Sequence, residues 1–365
     1  MPASKIAAAS ALSPVERAAM KRLRRITATI APAPCVSIAE LEGEAIGRFS
    51  AVKVVLLKIG DRGVPLASRE KVELLFSQRG LEPIWVENPS EIPPESLVIV
   101  TTGAPVGADV LAKTPKLRLV AVAFTGTDHV DIAACHAKGI TVTNVPGYST
   151  ESTAELVLGL TLSHLRRLPQ CHKIVQEGLW TMPPQDDLAT KTVGIVGVGK
   201  IGIRLAELFR AFKVKSILGY DPLVKAQEFT AMGGVYLDSL AGLFLDADIV
   251  CVCCPLTKKT DGLISDRVME LLRPDSILVN VSRGGVVDET ALAKLLGEGK
   301  FRAALDVFNS EPLPKDNPLR TVPADSLLMT PHVGYQSTAS LEKRLDATVK
   351  NILAFLAGQA INTVP

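Results

Sequence analysis

The sequence has few cysteines, no excess of either charge and no long hydrophobic run. Its six cysteines lack the paired short spacings of a zinc site and are too sparse for a disulfide framework, which predicts reduced thiols inside a cell. Basic and acidic residues number 40 and 38, for a formal charge of +2, so no concentrated basic surface for nucleic acid is expected. A membrane-spanning helix is excluded because no apolar run approaches the roughly 18 to 20 residues that cross a bilayer.

What the sequence does contain is typical of a soluble globular protein of two domains. Hydrophobic residues make up 47% of the 365 positions, and at roughly 150 residues per domain each half can bury a core. The run Cys251-Val252-Cys253-Cys254 lies in an apolar stretch, where cysteine usually packs as a small hydrophobe. We therefore interpret this run as core and predict no metal site.

The first 35 residues carry six basic side chains and one acidic side chain, Glu16. A basic leader rich in alanine and serine is typical of an organelle transit segment. Ser13-Pro14-Val15-Glu16 is also a capping box, and apolar residues follow it at helical spacing, which predicts a short amphipathic helix. A solvated or self-docked extension and a targeting segment both remain open. The expected location is therefore the cytoplasm, with the organelle matrix as the alternative.

From Val52 onward, apolar strand-like runs alternate with helical patterns, which is typical of the parallel sheets of an α/β protein. A long helix, apolar on much of its surface, is predicted at 151–168, and 180–190 is predicted to be an irregular connector. In the first unit, strands are predicted at 52–57, 97–101, 117–122 and 140–143, and helices at 68–78, 107–112 and 131–138.

The second unit alternates more regularly and predicts a doubly wound sheet. After it, an amphipathic helix is predicted at 337–356, whose apolar stripe needs a partner surface. The strands of this unit are predicted at 192–196, 216–220, 248–253, 277–281, 302–305 and 327–329, and its helices at 200–212, 265–272 and 289–296.

A G-x-G-x-x-G motif, formed by Gly197, Gly199 and Gly202, follows a predicted strand and opens a predicted helix. The first glycine permits a tight turn, the second lets the backbone approach a pyrophosphate, and the third lets the helix pack close to the strand. Helix amides and the helix dipole favour an anion there. Asp221 ends the next strand. An acid at that position accepts hydrogen bonds from the adenosine ribose and repels a 2′-phosphate, which predicts NAD rather than NADP as the cofactor.

Three reactive side chains follow successive predicted strands, where a doubly wound sheet places its chemistry. Arg283 carries a forked, permanent positive charge that suits a bidentate contact with a carboxylate. Glu311 follows the next strand and His332 follows the last one. A histidine held by a carboxylate can act as a general acid and base near neutral pH. Because the three side chains are placed together, we interpret them as catalytic, and the other four histidines as surface or packing residues.

These motifs resemble those of the D-isomer-specific 2-hydroxyacid dehydrogenase family from about Val52 to the C-terminus. In the first unit, residues 123–131 and 144–150 are most similar to the glycerate dehydrogenase, or hydroxypyruvate reductase, branch. Further matching stretches are Pro255-Leu256-Thr257, residues 280–284 running into Val287-Asp288-Glu289, Glu311-Pro312 and Pro331-His332.

The resemblance implies two doubly wound parallel-sheet domains. A Rossmann NAD domain at 151–336 would be inserted into a flavodoxin-like substrate-binding domain formed by 52–150 plus 337–365, after a basic N-terminal extension at 1–51. The active site would lie in the cleft between the two domains. The resemblance also implies a homodimer and a small 2-keto or 2-hydroxy acid as the substrate.

The resemblance also implies roles for individual residues. Arg283 would hold the substrate carboxylate and keto oxygen, His332 would donate the proton, and Glu311 would orient His332. The substrate pocket would include Thr102, Gly103 and the backbone amides of Thr125 and Gly126. The cofactor contacts would include Lys200 and Ile201 at the pyrophosphate, Asp306 at the nicotinamide amide, and Cys254, Pro255, Val281 and Ser282.

The identity of the substrate depends on less specific features. The loop 101–105 lacks the charged or amide side chain that many glycerate dehydrogenase-like members carry there, which predicts a smaller, less polar pocket. Hydroxypyruvate or glyoxylate is the leading hypothesis. A phosphoglycerate dehydrogenase is an alternative, less favoured because the chain ends at Pro365 without a regulatory domain and its first-unit motifs fit less well. Glu311 disfavours a formate dehydrogenase, and an NAD-sensing corepressor is the remaining alternative.

Overall fold

A computed structural model describes residues 52–57, 66–222 and 227–365. The predicted extension at 1–51, with its helix after Ser13 and the targeting hypothesis, lies outside the described residues. Residues Lys53–Pro365 belong to one compact unit. Because the extension is not described, the predicted location in the cytoplasm or an organelle matrix stays a prediction from the sequence.

The first of two sheets has five strands in the order β2-β1-β3-β4-β5. The pairs β1–β3, β3–β4 and β4–β5 are parallel, and this strand order is that of flavodoxin-like doubly wound sheets. The strands are β1 (Val52–Leu57), β2 (Leu81–Val86), β3 (Val98–Thr101), β4 (Leu119–Val122) and β5 (Thr141–Thr143), and the helices are α1 (Leu66–Ser77), α2 (Ala108–Lys113) and α3 (Ile132–Ala137).

The second sheet has seven strands in the order β12-β11-β10-β9-β6-β7-β8, and all six neighbouring pairs are parallel. The order reverses between β6 and β9, which is the switch point where doubly wound sheets bind ligands. The strands are β6 (Thr192–Val196), β7 (Ser216–Tyr220), β8 (Val235–Tyr236), β9 (Ile249–Val252), β10 (Ile277–Asn280), β11 (Arg302–Leu305) and β12 (Leu327–Met329). The remaining helices are α4 (Thr150–Leu165), α5 (Leu168–Gln176), α6 (Lys200–Ala211), α7 (Gln227–Ala231), α8 (Leu240–Asp246), α9 (Asp266–Met269), α10 (Glu289–Gly297) and α11 (Thr338–Leu356).

The structure confirms the α/β fold class but adds elements that the sequence patterns did not predict. Strands β2 and β8, each at an edge of its sheet, and helices α5, α7 and α8 were missed. The helix predicted at 151–168 ends at Leu165, because Arg167 adopts a left-handed conformation with φ 49°. The helix predicted at 265–272 is confined to Asp266–Met269.

The C-terminal segment returns to the first sheet. Helix α11 packs against β4, and the Asn351 side chain donates to the Asn144 carbonyl at 2.8 Å. Val364 N donates to the Val142 carbonyl at 2.9 Å, beside an antiparallel bridge between Thr143 and Thr363. They join the C-terminal segment to the first sheet. The predicted division into 52–150 plus 337–365 and 151–336 stays a prediction.

Apolar strands form the interior of both sheets, and the cysteine run takes part in it. Cys251 and Cys254 are buried, and burial raises the pKa of the Cys254 thiol to about 11. Within 52–57, 66–222 and 227–365, no group of side chains is arranged to hold a metal ion. Over the same ranges, the helices are too short or too polar to cross a bilayer.

A buried histidine on α4 is expected to make the fold sensitive to acid. His164 Nε2 lies 2.7 Å from the Ala303 carbonyl oxygen, and burial, with smaller contributions from the charges of Arg302 and Arg167, lowers the pKa of His164 from 6.5 to about 4. The unfolded chain therefore binds the proton more readily between these two values. The stability that His164 contributes is complete above pH 6.5 and is lost as the pH falls toward 4, by about 3 kcal/mol.

This expectation can be tested by urea unfolding at pH 7 and pH 4.5. His164→Gln should lose less stability between the two pH values than the parent protein, because glutamine cannot be protonated. His136→Gln, at an exposed position on α3, should behave like the parent. Equal losses in the parent and His164→Gln would show that His164 does not carry the acid sensitivity.

Candidate active site

The glycine-rich turn lies at the switch point of the seven-stranded sheet. Gly197 has φ +96°, and a Cβ added to it would lie 2.4 Å from Cys254 N. A Cβ on Gly202 would lie 2.2 Å from the Gly197 carbonyl oxygen, so the third glycine allows α6 to pack against the turn. Around Gly199 a Cβ would meet no atom within 4 Å. Gly197 and Gly202 are thus closely packed, while Gly199 is open at the start of α6, just before Lys200 and Ile201. This arrangement forms a cradle that fits a pyrophosphate.

Asp221 lies beside this turn, at the end of β7. Its Oδ2 accepts a hydrogen bond from Val198 N at 3.0 Å, and its carbonyl oxygen accepts one from the Tyr236 hydroxyl at 2.8 Å. The carboxylate is thus held next to the cradle, which is the position that an adenosine ribose needs. Its contact with the ribose stays a prediction.

The backbone before Arg283 is fixed by a side chain that the sequence reasoning did not single out. Asn280 is buried. Its Nδ2 donates to the Arg283 carbonyl at 3.0 Å, and its Oδ1 accepts from Ser282 N at 3.0 Å. A Cβ on Gly284 would lie 2.1 Å from the Phe308 carbonyl carbon. The loops that follow β10 and β11 therefore touch, which sets Arg283 near the loop of Glu311.

The Arg283 side chain reaches the loop that follows β4 in the other sheet. Its Nη2 lies 1.8 Å from where a Cβ on Gly126 would be, so the guanidinium lies against the Gly126 backbone. Arg283 Nε donates to Asp128 Oδ2 at 3.0 Å. Thr125, the other predicted carboxylate-binding residue, is tied down by its hydroxyl, which donates to the Val145 carbonyl at 2.8 Å. The structure brings Thr125, Gly126 and Arg283 together and adds Asp128.

His332 and Glu311 form a direct pair. His332 Nδ1 lies 2.7 Å from Glu311 Oε2, with the two side chains 26% and 22% exposed. Glu311 Oε1 accepts a hydrogen bond from Phe308 N at 3.1 Å, so the carboxylate is itself held in place. A carboxylate on Nδ1 fixes that nitrogen as the protonated one and leaves Nε2 for a reacting group.

Asp306 is buried beneath the loop of His332. Its Oδ1 accepts from the Thr330 hydroxyl at 2.6 Å and from Val333 N at 2.8 Å, and its Oδ2 accepts from Gly334 N at 2.8 Å. These three bonds fix the chain on both sides of His332, which has a left-handed φ of 55°. The predicted contact of Asp306 with the nicotinamide amide stays a prediction.

The other predicted site residues also follow strands. Thr102 is buried and Gly103 half-buried after β3, in a turn in which the Thr101 hydroxyl donates to the Ala104 carbonyl at 2.9 Å. Their contact with substrate stays a prediction. The remaining predicted cofactor residues lie at the ends of β9 and β10 and comprise Cys254, Pro255, Val281 and Ser282.

Comparison with known proteins agrees with this geometry. Residues 158–334 match the domain family described as D-isomer specific 2-hydroxyacid dehydrogenase, NAD binding domain. The chain is 38% identical over 272 residues to a D-3-phosphoglycerate dehydrogenase of Methanocaldococcus jannaschii, covering 73% of this chain and 51% of that protein. It is 34% identical over 261 residues to a glyoxylate reductase of Thermofilum pendens, covering 70% of this chain and 76% of that protein.

A solved structure is also similar. The D-lactate dehydrogenase of Aquifex aeolicus, in complex with NAD and lactic acid, superposes with a TM-score of 0.76 at 29% identity, covering 84% of this chain and 96% of that chain. The chain spans about half the length of the phosphoglycerate dehydrogenases that it matches. It belongs to the D-isomer specific 2-hydroxyacid dehydrogenase family.

Proposed function

We propose that this protein interconverts a small 2-keto acid and the corresponding D-2-hydroxy acid, with NAD as the cofactor. One observation carries the proposal: Arg283 and the His332–Glu311 pair lie on loops that leave the same edge of the Rossmann sheet. Arg283 also lies against the Gly126 backbone. A cation for a carboxylate and a held general acid are the two groups that keto acid reduction needs from a protein.

The reduction can be written in terms of this chain's own residues. Arg283, with the Thr125–Gly126 backbone, binds the substrate carboxylate and polarises the keto oxygen. His332 gives that oxygen a proton from Nε2 while Glu311 stabilises and orients the ring. Bound NADH supplies the hydride. The cradle at Gly197–Gly202 and Asp221 would hold the cofactor, and the reverse reaction returns the proton to His332.

Hydroxypyruvate or glyoxylate is our preferred substrate, since 123–131 and 144–150 resemble the hydroxypyruvate reductase branch and one of the matched relatives is named a glyoxylate reductase. Phosphoglycerate dehydrogenase remains the alternative, because other relatives carry that name. The two are separated by following NADH oxidation with glyoxylate, hydroxypyruvate and 3-phosphohydroxypyruvate. A corepressor-like sensor would bind NADH yet turn over every keto acid slowly, which would contradict the proposed activity.

Asp221 is expected to make NADH a far better cofactor than NADPH. A 2′-phosphate would lie close to the Asp221 carboxylate, and like charges at short range oppose binding. Asp221→Ser should narrow the difference in kcat/KM between the two cofactors. Asp238→Ser, at a position outside the glycine-rich turn and the end of β7, is the matched control and should keep the parent's preference. If the parent had the same kcat/KM with NADPH as with NADH, the assignment of Asp221 as the ribose ligand would be wrong.

We also propose a homodimer formed through the apolar side chains of α5 and the following connector. Helix α5 has no buried residue. Exposed on this surface are Leu168 (52%), Val175 (59%), Leu179 (52%), Trp180 (85%) and Met182 (86%). Contiguous apolar surface of this kind usually marks a protein–protein interface.

The proposed dimer can be tested by light scattering after size exclusion. The double variant Val175→Glu and Trp180→Glu should halve the mass of the parent dimer, because two carboxylates would be buried against apolar surface. Leu74→Glu, an exposed apolar position on α1, should leave the mass unchanged. A monomeric parent protein would refute the dimer.

A further inference from the structure

Asp128 is a carboxylate beside the substrate-binding arginine that the proposed reaction does not use. It lies in the loop after β4, and its Oδ2 accepts from Arg283 Nε at 3.0 Å. Its side chain is 57% exposed, and that of Arg283 is 35% exposed. The ion pair therefore lies at an open part of the site. Because the two residues follow strands of different sheets, the pair joins the two walls of the proposed cleft.

The hydrogen bonds of Arg283 limit how its guanidinium can meet a second anion. A guanidinium offers two edges for a bidentate contact, one formed by Nε with Nη2 and one formed by Nη1 with Nη2. Asp128 takes the Nε hydrogen. The Ser282 carbonyl takes a hydrogen of Nη1 at 2.8 Å. The contact with Asp128 closes the side edge, while Nη2 and the second hydrogen of Nη1 stay available at the end edge.

The position of the end edge agrees with this arrangement. Nη2 is the guanidinium nitrogen that lies against Gly126, whose loop carries the proposed carboxylate-binding amides. Gly126 also brings Asp128 close, since a Cβ there would lie 3.1 Å from Asp128 Oδ2. A substrate carboxylate at the end edge can therefore meet both Nη2 and the loop backbone, whereas one at the side edge would have to displace Asp128.

We propose that Asp128 is a positioning residue that closes the Nε edge of Arg283, so that the substrate binds, through its carboxylate and keto oxygen, only at the Nη1–Nη2 edge. This inference rests on the proposed function, in which Arg283 holds the substrate carboxylate. Without the Asp128 carboxylate, Arg283 offers two edges, and only one of them presents the keto carbon correctly to His332. The second mode of binding is nonproductive and competes with the first.

Nonproductive binding has a kinetic signature that loss of structure does not produce. It lowers kcat and KM by the same factor and leaves kcat/KM nearly unchanged, because substrate held in the wrong mode adds to binding but not to turnover. Asp128→Ala should therefore lower both constants for keto acid reduction together, by about fivefold, the factor that one ordinary hydrogen bond is worth.

Asp128→Asn is the matched variant that separates positioning from charge. Its side-chain carbonyl can still accept the Arg283 Nε hydrogen, while the negative charge is lost as in the alanine variant. Asp128→Asn should therefore keep the kcat of the parent. Asp131→Asn, which removes an acid from the same loop and preserves the cap that Asp131 forms with Ala134 N, controls for the change in net charge and should match the parent in both constants.

The experiment measures kcat and KM for glyoxylate and hydroxypyruvate reduction in the parent and the three variants, with Arg283→Ala in parallel. A joint fall of kcat and KM in Asp128→Ala, restored by Asp128→Asn, is the result expected. Equal constants in the alanine and asparagine variants, or a raised KM at unchanged kcat in Asp128→Ala, would overturn the role of Asp128. If Arg283→Ala leaves KM unchanged, the proposed function fails as well. If Arg283→Ala raises KM, only the role of Asp128 fails.

Discussion

Replacing His332 with alanine is expected to remove nearly all turnover while NADH binding persists. His332 is the general acid of the proposed reaction, and a positioned proton donor contributes typically about 10²- to 10⁴-fold to a rate. The ring is held through Nδ1 by Glu311 and is not part of the glycine-rich cradle, so its loss should leave the cofactor site intact. Single-turnover reduction of glyoxylate and fluorescence titration with NADH would measure the two quantities separately.

Glu311→Gln provides the graded comparison for this result. The variant keeps a side chain of the same size but removes the charge that stabilises the protonated ring. Its reduction rate should fall less than that of His332→Ala. His136→Ala, a histidine on an exposed face of α3, should behave like the parent. A His332→Ala variant that retains a tenth or more of the rate, about 1.4 kcal/mol of the barrier, would remove His332 as the acid.

Replacing Arg283 with alanine is expected to raise the KM for the keto acid strongly while NADH affinity changes little. Truncation removes a charge-assisted bidentate contact and leaves the substrate carboxylate without its cation in the cleft. Similar losses in desolvated charge pairs cost about 2 to 5 kcal/mol, or roughly 30- to 5,000-fold in kcat/KM. Steady-state kinetics over a wide range of keto acid concentrations would measure the rise in KM, and a titration with NADH would measure the cofactor affinity.

The control for Arg283→Ala is Arg267→Ala on α9, an exposed arginine of the same domain. It removes one positive charge without touching the site and should leave both constants as in the parent. A collapse of NADH affinity in Arg283→Ala with an unchanged keto acid KM would contradict the proposed role. Guanidinium ion added to the assay should partly restore the variant if the missing group is the cation itself.

The fold could be predicted from the sequence where a strand is a short apolar run between turns. Strands β6, β7, β11 and β12 start and end at the predicted residues, because parallel strands read as short continuous apolar runs between turns. Strand β2 gives no such signal, since Pro83 interrupts it and only an edge strand tolerates that. Helix α5 was missed for a different reason. Its apolar side chains are exposed, and no element was predicted between the helix at 151–168 and the connector at 180–190.

The candidate site was only partly readable from the sequence. Arg283, Glu311 and His332 could be singled out because each follows a strand and has a side chain with evident chemistry. The sequence cannot show that Asp128 reaches Arg283, since the two are 155 residues apart and meet only through the packing of two separate sheets. Asn280 was missed because its role is structural: its buried side-chain amide forms the hydrogen bonds that hold the turn before Arg283. A single asparagine at the end of a strand does not indicate such a role in the sequence.

The return of the C-terminal segment to the first sheet has a consequence for the order in which the chain folds during synthesis. The seven-stranded sheet is continuous in sequence, from Thr192 to Met329, and can form while the chain is still being extended. The five-stranded sheet is translated before the seven-stranded sheet, but helix α11 and residues 362–364, which pack against it, are translated after that sheet. Part of the apolar surface of the five-stranded sheet therefore stays exposed until α11 and residues 362–364 have been made. The sheet that is made first is therefore completed after the sheet that is made second, and a pause in translation before α11 would leave the first sheet incomplete and prone to aggregation.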